Sequence, residues 1–333
     1  MALAAALAVV LGGCSGGGSG DPAGEATPPP AGPSATPRPQ IGAWTRLADL
    51  PQARTELSAA VLDGQVYVGT GLTRGPGDEA FYRYDPASDS WRELAPIPAA
   101  RHHAPLAAYD GTVYLVGGYD NQASGVSPFG TPTDTLFVYD VASDTWREGP
   151  PLPEPVGAHA VTTTDDGMIH VVGGLDHGPL DARDEHLVFD TGAGTWSSLS
   201  PMPSGREHLG AAHLDGVVYV AAGRTGGGGV AFEAYDIDAA EWRVLPDVPT
   251  GRGGVGVVAF QGQIYVLGGE TVDQTFDQVE RFDPGTGRWQ EVAPMPTARH
   301  GLGAVALADG VMAISGGPNV GLTHSADTEI WRP

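Results

Sequence analysis

Six tryptophans set the ruler for this chain: Trp44, Trp91, Trp146, Trp196, Trp242 and Trp289, spaced 47, 55, 50, 46 and 47 residues apart. A period in this range means one supersecondary unit repeated, each copy able to bury its apolar face only against its neighbours. The other landmarks keep the same register. Ten residues after each tryptophan stand Arg54, Arg101, Val156, Arg206, Arg252 and Arg299, and three residues before each of those a proline, from Pro51 to Pro296. Seventeen or eighteen residues further on, a pair of small residues ends in Gly71, Gly118, Gly174, Gly223, Gly269 and Gly317. An aromatic–aspartate pair follows (Tyr84-Asp85, Tyr139-Asp140, Phe189-Asp190, Tyr235-Asp236, Phe282-Asp283), always seven residues before the next tryptophan.

The local signals within a unit are those of short strands. Asp63-Gly64, Asp110-Gly111, Asp215-Gly216, Gln261-Gly262 and Asp309-Gly310 read as tight hairpin turns, each followed by a β-branched and aromatic run such as Thr112–Val116. Four such strands and no helical periodicity make each unit a twisted four-stranded sheet. Radial arrangement of six sheets protects their edges.

The order of glycine doublet, Tyr-Asp, Trp, Pro and Arg resembles the Kelch-repeat signature over residues 41–333. The resemblance implies an all-β fold, a six-bladed β-propeller with four strands per blade, in which the Gly, Tyr and Trp residues pack blade against blade. Arg54, Arg101, Arg206, Arg252 and Arg299 are read as structural, with Trp44, Trp91, Trp146, Trp196, Trp242, Trp289 and Trp331. The last repeat is incomplete. Trp331 follows Gly317 at the distance of the aromatic–aspartate position, so blade six lacks its fourth strand, while the domain opens with an orphan fourth strand around Trp44. Ile41–Leu47 is therefore expected to pair outside Asp327–Trp331 and close the ring.

Composition narrows the function. Forty acids against 17 bases, all arginine, leave a net charge of −23, which repels nucleic acid and anionic lipid headgroups. Without lysine there is no Schiff-base chemistry, and with one cysteine there is no disulfide or cysteine-ligated zinc. That cysteine, Cys14, ends an apolar run too short to span a membrane. Leu11-Gly12-Gly13-Cys14 resembles a bacterial lipoprotein cleavage box, although no basic residue precedes the run. Residues 1–14 thus read as a signal peptide ending at a lipidated Cys14, and the Gly/Ser/Pro-rich residues 15–40 as a disordered tether. The expected location is outside the cytoplasmic membrane, with the Cys14 lipid as the only membrane contact and the protein a monomer.

In the family the resemblance points to, one face of the ring is lined by the two residues after the motif arginine and by the loop after the glycine doublet. Here the first set is Thr55-Glu56, His102-His103, Gly157-Ala158, Glu207-His208, Gly253-Gly254 and His300-Gly301. The second contributes Arg74, Tyr119, Asp120, Asp176, His177, Arg224, Glu270 and Asn319. Histidine beside carboxylate is acid–base and ligand-holding chemistry. Because strand side chains alternate, one member of each pair faces the channel; the sequence does not say which. Two specific readings arise: a pocket for a polar ligand, with Arg74 or Arg224 taking a carboxylate, or a divalent metal on imidazoles with Glu56 or Glu207. The plain alternative is a solvated rim. No metal or cofactor is assigned. The long insertion Asp120–Asp134, with Phe129, is a candidate recognition loop, and blade three, with Val156 for arginine, departs most from the pattern.

The favoured function is a binding module for a glycan, peptide or protein. The alternative is a sugar epimerase or mutarotase, since the chain is similar in family to the periplasmic N-acetylneuraminate epimerases; Glu207, His208 and His103 would then be the catalytic candidates. Galactose-oxidase-like copper chemistry needs a Cys–Tyr crosslink, and no cysteine lies within residues 41–333.

Overall fold

The structure, a computed structural model, describes residues 41–74, 78–120, 130–176, 182–224 and 229–333. Residues 1–40, read from sequence as a signal peptide ending at Cys14 and a tether, lie outside the described residues, as do His177 and Phe129. Six four-stranded antiparallel sheets surround a central axis. In blade one, Ser58–Leu62 lies innermost, followed outward by Gln65–Gly69, Tyr82–Asp85 and Ser90–Glu93. Blades two to five repeat this order, starting at Leu106–Tyr109, Ala160–Thr163, Gly210–Leu214 and Gly256–Phe260.

The second strand of each blade is buried on both faces, which is why it reads as a continuous Val/Ile/Leu/Tyr run rather than an alternation. The outermost strand is exposed apart from its half-buried tryptophan. Between successive blades lie six apolar layers, one of them set by Tyr67, Phe81, Leu115 and Tyr139 of blades one and two. Every motif tryptophan donates its indole N–H to a main-chain carbonyl at the edge of the preceding blade. Trp91 Nε1 reaches Ala48 O at 2.9 Å, Trp146 reaches Ala95 O at 3.0 Å, and Trp196, Trp242 and Trp289 do the same. The spacing of the tryptophans is thus the spacing of six inter-blade latches.

The ring closes as its two ends require. Blade six consists of Gly303–Leu307, Gly310–Gly316, Ser325–Arg332 and, outermost, Ala43–Arg46 from the N-terminal side. Trp44 lies opposite Trp331, and Arg46 opposite Glu329. Trp44 Nε1 donates to Ala293 O, the sixth latch, and Trp331 Nε1 donates to Ile41 O. One turn differs from its sequence reading. In blades one, two, four and five the left-handed pairs Asp63-Gly64, Asp110-Gly111, Asp215-Gly216 and Gln261-Gly262 form the turn, but in blade six Ala308-Asp309 does, and Gly310 pairs with Leu307 as a strand residue. A Cβ at Gly310 would strike the Trp331 carbonyl, so this glycine serves close approach rather than turn geometry.

The motif arginines run into the blades. Arg54, Arg206, Arg252 and Arg299 are essentially fully buried. Arg206 pairs with Glu233 at 2.5 Å and donates to the carbonyls of Ala222, Ser204 and Val220; Arg252 pairs with Glu280 at 2.6 Å, and Arg299 with Glu329. The acid stands two residues before the blade's aromatic–aspartate position. In blades one and two that site holds Tyr82 and Phe137, and Arg54 and Arg101 lie over those rings instead, each 5.7 Å from the centroid. In blade three it holds Leu187. Val156 is therefore the apolar half of a matched change: where the arginine is gone, the acid is gone too.

Candidate functional site

At one end of the axial channel the two residues after each motif arginine take up separate duties. The first extends the sheet. Thr55 bridges to Leu72, His102 to Tyr119, Gly157 to Leu175, Glu207 to Arg224, Gly253 to Glu270 and His300 to Gly317. The second residue (Glu56, His103, Ala158, His208, Gly254, Gly301) has positive φ, between 49° and 67°, which turns its main chain across the axis. His103 N donates to Glu56 O at 3.1 Å, Ala158 N to His103 O at 3.1 Å and His208 N to Ala158 O at 2.9 Å. Gly254 N donates to His208 O at 2.8 Å and Gly301 N to Gly254 O at 2.9 Å, and Leu57 N completes the circle to Gly301 O at 3.3 Å. A collar of main-chain hydrogen bonds thus encircles the mouth of an axial cavity of about 160 Å³.

The collar brings together side chains from five blades. Glu56 Oε2 lies 3.2 Å from His103 Nε2, and its Oε1 lies 3.2 Å from His300 Nδ1. The His103 and His208 rings meet edge to face with centroids 4.7 Å apart. Each has a second partner. His103 Nδ1 is 2.5 Å from His102 Nδ1, one donating to the other, and His208 Nδ1 contacts the Glu207 carboxylate. His300 Nε2 donates toward the Asn319 and Gly321 carbonyls at 3.1 Å and lies 3.5 Å from Glu270 Oε2, while Glu270 also pairs with Arg224. Tyr119 covers the group from the side, stacked on His102 with centroids 5.4 Å apart, and burial together with Asp176 pushes its hydroxyl up to about 12.

Small residues make room for this. A Cβ on Gly253 would collide with the Arg224 side chain, and one on Gly301 would sit 2.6 Å from the Glu56 carboxyl carbon. These blank positions are the space into which the neighbours' polar groups lean.

Charge is sorted across the cluster. Burial works to raise the Glu56 carboxyl, but His103, His300 and His208 outweigh it and hold the group well below the carboxylate range. Burial lowers His103, and it lowers His208 far more with help from Arg224, so both are neutral at pH 7. Burial also opposes protonation of His300, yet Glu56 and Glu270 prevail and raise it. Burial raises Glu270 despite His300 and Arg224. Glu56 thus stands ionised between one imidazole inclined to hold a proton and two that refuse it.

Not every residue named from sequence joins the group. Arg74 is exposed on the loop after Thr70-Gly71, where its charge acts on His324. Asp120 accepts a hydrogen bond from Thr131 N at the base of the insertion. Asp176 acts on Tyr119 and Arg183, and Asn319 contributes its main-chain carbonyl rather than its exposed side chain. Sequence reasoning left out a groove of about 480 Å³ beside the collar, lined by Arg224, Gly253, Glu270, Val272, Val320 and neighbouring residues. Arg224, Gly253 and Glu270 stand at repeat positions, but Val272 and Val320 lie on loops of unequal length and left no periodic trace.

His159 was also missed. At its place in blades one, two, four, five and six stand Leu57, Ala104, Leu209, Val255 and Leu302. It is fully buried, and burial with the charge of Arg183 lowers it to about 3. Above pH 6.5 both folded and unfolded chains hold it neutral; below that the unfolded chain takes up a proton the fold refuses, so stability falls with acid. The loss from this residue between pH 7 and pH 5 is about 2 kcal/mol. His159→Leu is expected to remove it, read as a smaller drop in melting temperature between those two pH values; an unchanged drop would refute the assignment.

The six blades, the interdigitated tryptophan latches and the polar collar define the class: a six-bladed Kelch-type propeller. A model of the KLHDC2/KLHL20/DRC7 Kelch-repeats domain matches residues 43–223 and 126–317, and the chain belongs to the Kelch-repeat family. Among curated relatives it is 28% identical to Kelch-like protein 35 of Mus musculus over 158 residues (47% of this chain, 25% of that protein). It is 25% identical to Kelch-like protein 26 of Danio rerio over 188 residues (56% and 30%), and 27% identical to Kelch-like protein terF of Aspergillus terreus over 199 residues (55% and 41%). These matches span between a quarter and about two fifths of the relatives' own length. In fold it is similar to YjhT, with a TM-score of 0.72 and 18% identity, covering 85% of this chain and 95% of that one.

Proposed function

We propose that the protein is a binding module that takes a polar ligand, a glycan, peptide or protein segment bearing a carboxylate, at the collar and the adjoining groove. One observation carries this reading. In blades three, five and six the collar slot is filled by Ala158, Gly254 and Gly301, so the main chain alone suffices to close it; the other three blades nevertheless place Glu56, His103 and His208 there. Burying titratable groups that the fold does not require costs stability and marks a site. Arg224 stands at the edge of the groove, its side chain 36% exposed, where its guanidinium can meet an incoming carboxylate in place of Glu270. The sequence of residues 1–40 supports export and anchoring through a lipid on Cys14, which would present this face outside the cell.

A panel of neutral sugars, sialic acids and acidic peptides, screened by thermal shift, tests the proposal. A ligand at 100 times its Kd is expected to add about 2.7 kcal/mol and raise the melting temperature by several degrees. The shift should vanish on Arg224→Ala and on Glu207→Ala, and a panel-wide absence of shift would defeat the reading. The second reading, a sugar epimerase or mutarotase, draws on the Glu56 carboxylate set within hydrogen-bonding reach of His103 and His300, a carboxylate–imidazole pair able to exchange a proton. It requires that a sugar found in the screen also interconvert faster in the presence of protein, followed by NMR.

A further inference from the structure

We propose that Glu56, His103 and His208 form a binding site for a divalent transition metal, with zinc the best chemical match. One ligand atom from each lies within 4.8 Å of the others, on three different blades held in fixed register by the collar. The Glu56 Oε2 to His103 Nε2 distance of 3.2 Å is already that between two ligands of a tetrahedral ion bonded at about 2.0–2.1 Å. His208, with a ligand atom within 4.8 Å of both, completes the set by closing in on that pair.

What separates this group from an accidental cluster is that every member is oriented from behind. His103 is held at Nδ1 by His102, and the Glu207 carboxylate lies against His208 Nδ1, which leaves Nε2 as the nitrogen each offers; Glu56 Oε1 faces the His300 ring at 3.2 Å. Polar partners behind a ligand, here a carboxylate at His208 and a second imidazole at His103, fix the tautomer and aim of metal ligands. The side chains are 6–9% exposed, and the bare slot at Gly254, where nothing lies closer than 3.4 Å to a Cβ position, leaves room for a fourth ligand beside the axial cavity. Three carboxylates (Glu56, Glu207, Glu270) stand against the Arg224 guanidinium and the His300 ring, so the surroundings favour an added cation. Two imidazoles, one carboxylate and an open position suit zinc or its substitute cobalt rather than calcium or magnesium. The site is independent of which organic ligand the face takes.

The full protein, stripped with a chelator and dialysed, would be titrated with ZnCl2 and with CoCl2. The expected result is one tightly held metal per chain by elemental analysis, and visible d–d absorption of a low-coordinate Co2+ site that zinc displaces. His208→Ala and the near-isosteric Glu56→Gln should abolish the cobalt bands, Glu207→Gln should weaken binding by roughly 10- to 100-fold, and His159→Leu should leave binding unchanged. Well under one equivalent of either metal on the unaltered protein would overturn the proposal without recourse to any variant, as would cobalt bands that survive both His208→Ala and Glu56→Gln.

Discussion

A chain begun at Ala48 is expected to melt at least about 10 °C below one begun at Gln40. The segment between them carries Ala43–Arg46, the outermost strand of blade six, whose loss strips the ladder from Ser325–Arg332 and exposes an edge. It also uncovers Trp331, which is fully buried and whose indole N–H bonds Ile41 O. An aromatic of this size hides roughly 150–250 Å², on the order of 4–6 kcal/mol as an upper bound. The latch from Trp44 to Ala293 of blade five goes with it. Calorimetry of the two fragments decides the matter: equal melting temperatures would mean that the ring is held without its terminal strand.

Arg206→Ala is expected to destabilise the propeller by about 3–5 kcal/mol, because Glu233 is left buried without a counter-charge. The penalty belongs to the orphaned carboxylate more than to the lost attraction, and this suggests its own control. Arg206→Val combined with Glu233→Leu reproduces in blade four the Val156 and Leu187 pairing that blade three already uses. That double change should recover most of the loss, seen as a urea midpoint close to that of the unaltered protein. If the double variant were as unstable as the single one, the matched exchange between blades would have no energetic meaning.

The ring itself was legible because its determinants are periodic. Tryptophans, glycine doublets and aromatic–aspartate pairs each repeat at intervals that the latches and turns demand, and even the exchange of strands between the chain ends was readable from where Trp331 falls in the count. The site was legible only as a set of positions. That Glu56, His103 and His208 point together while Thr55, His102 and Glu207 extend the sheet depends on a left-handed main chain at the second residue, for which Glu and Ala give no advance sign. Asn319 acts through its carbonyl, and a main-chain role leaves no mark on residue identity. Val156 looked like an irregularity because its partner, Leu187, sits 31 residues away on another strand, where only the folded register aligns the two.

Because the collar is sewn together by peptide groups alone, the six residues that form it are exchangeable parts. A residue that tolerates the left-handed region can be swapped at one station without unpicking the thread that joins the other five. A scaffold of this kind can acquire, lose or rearrange its chemistry one blade at a time.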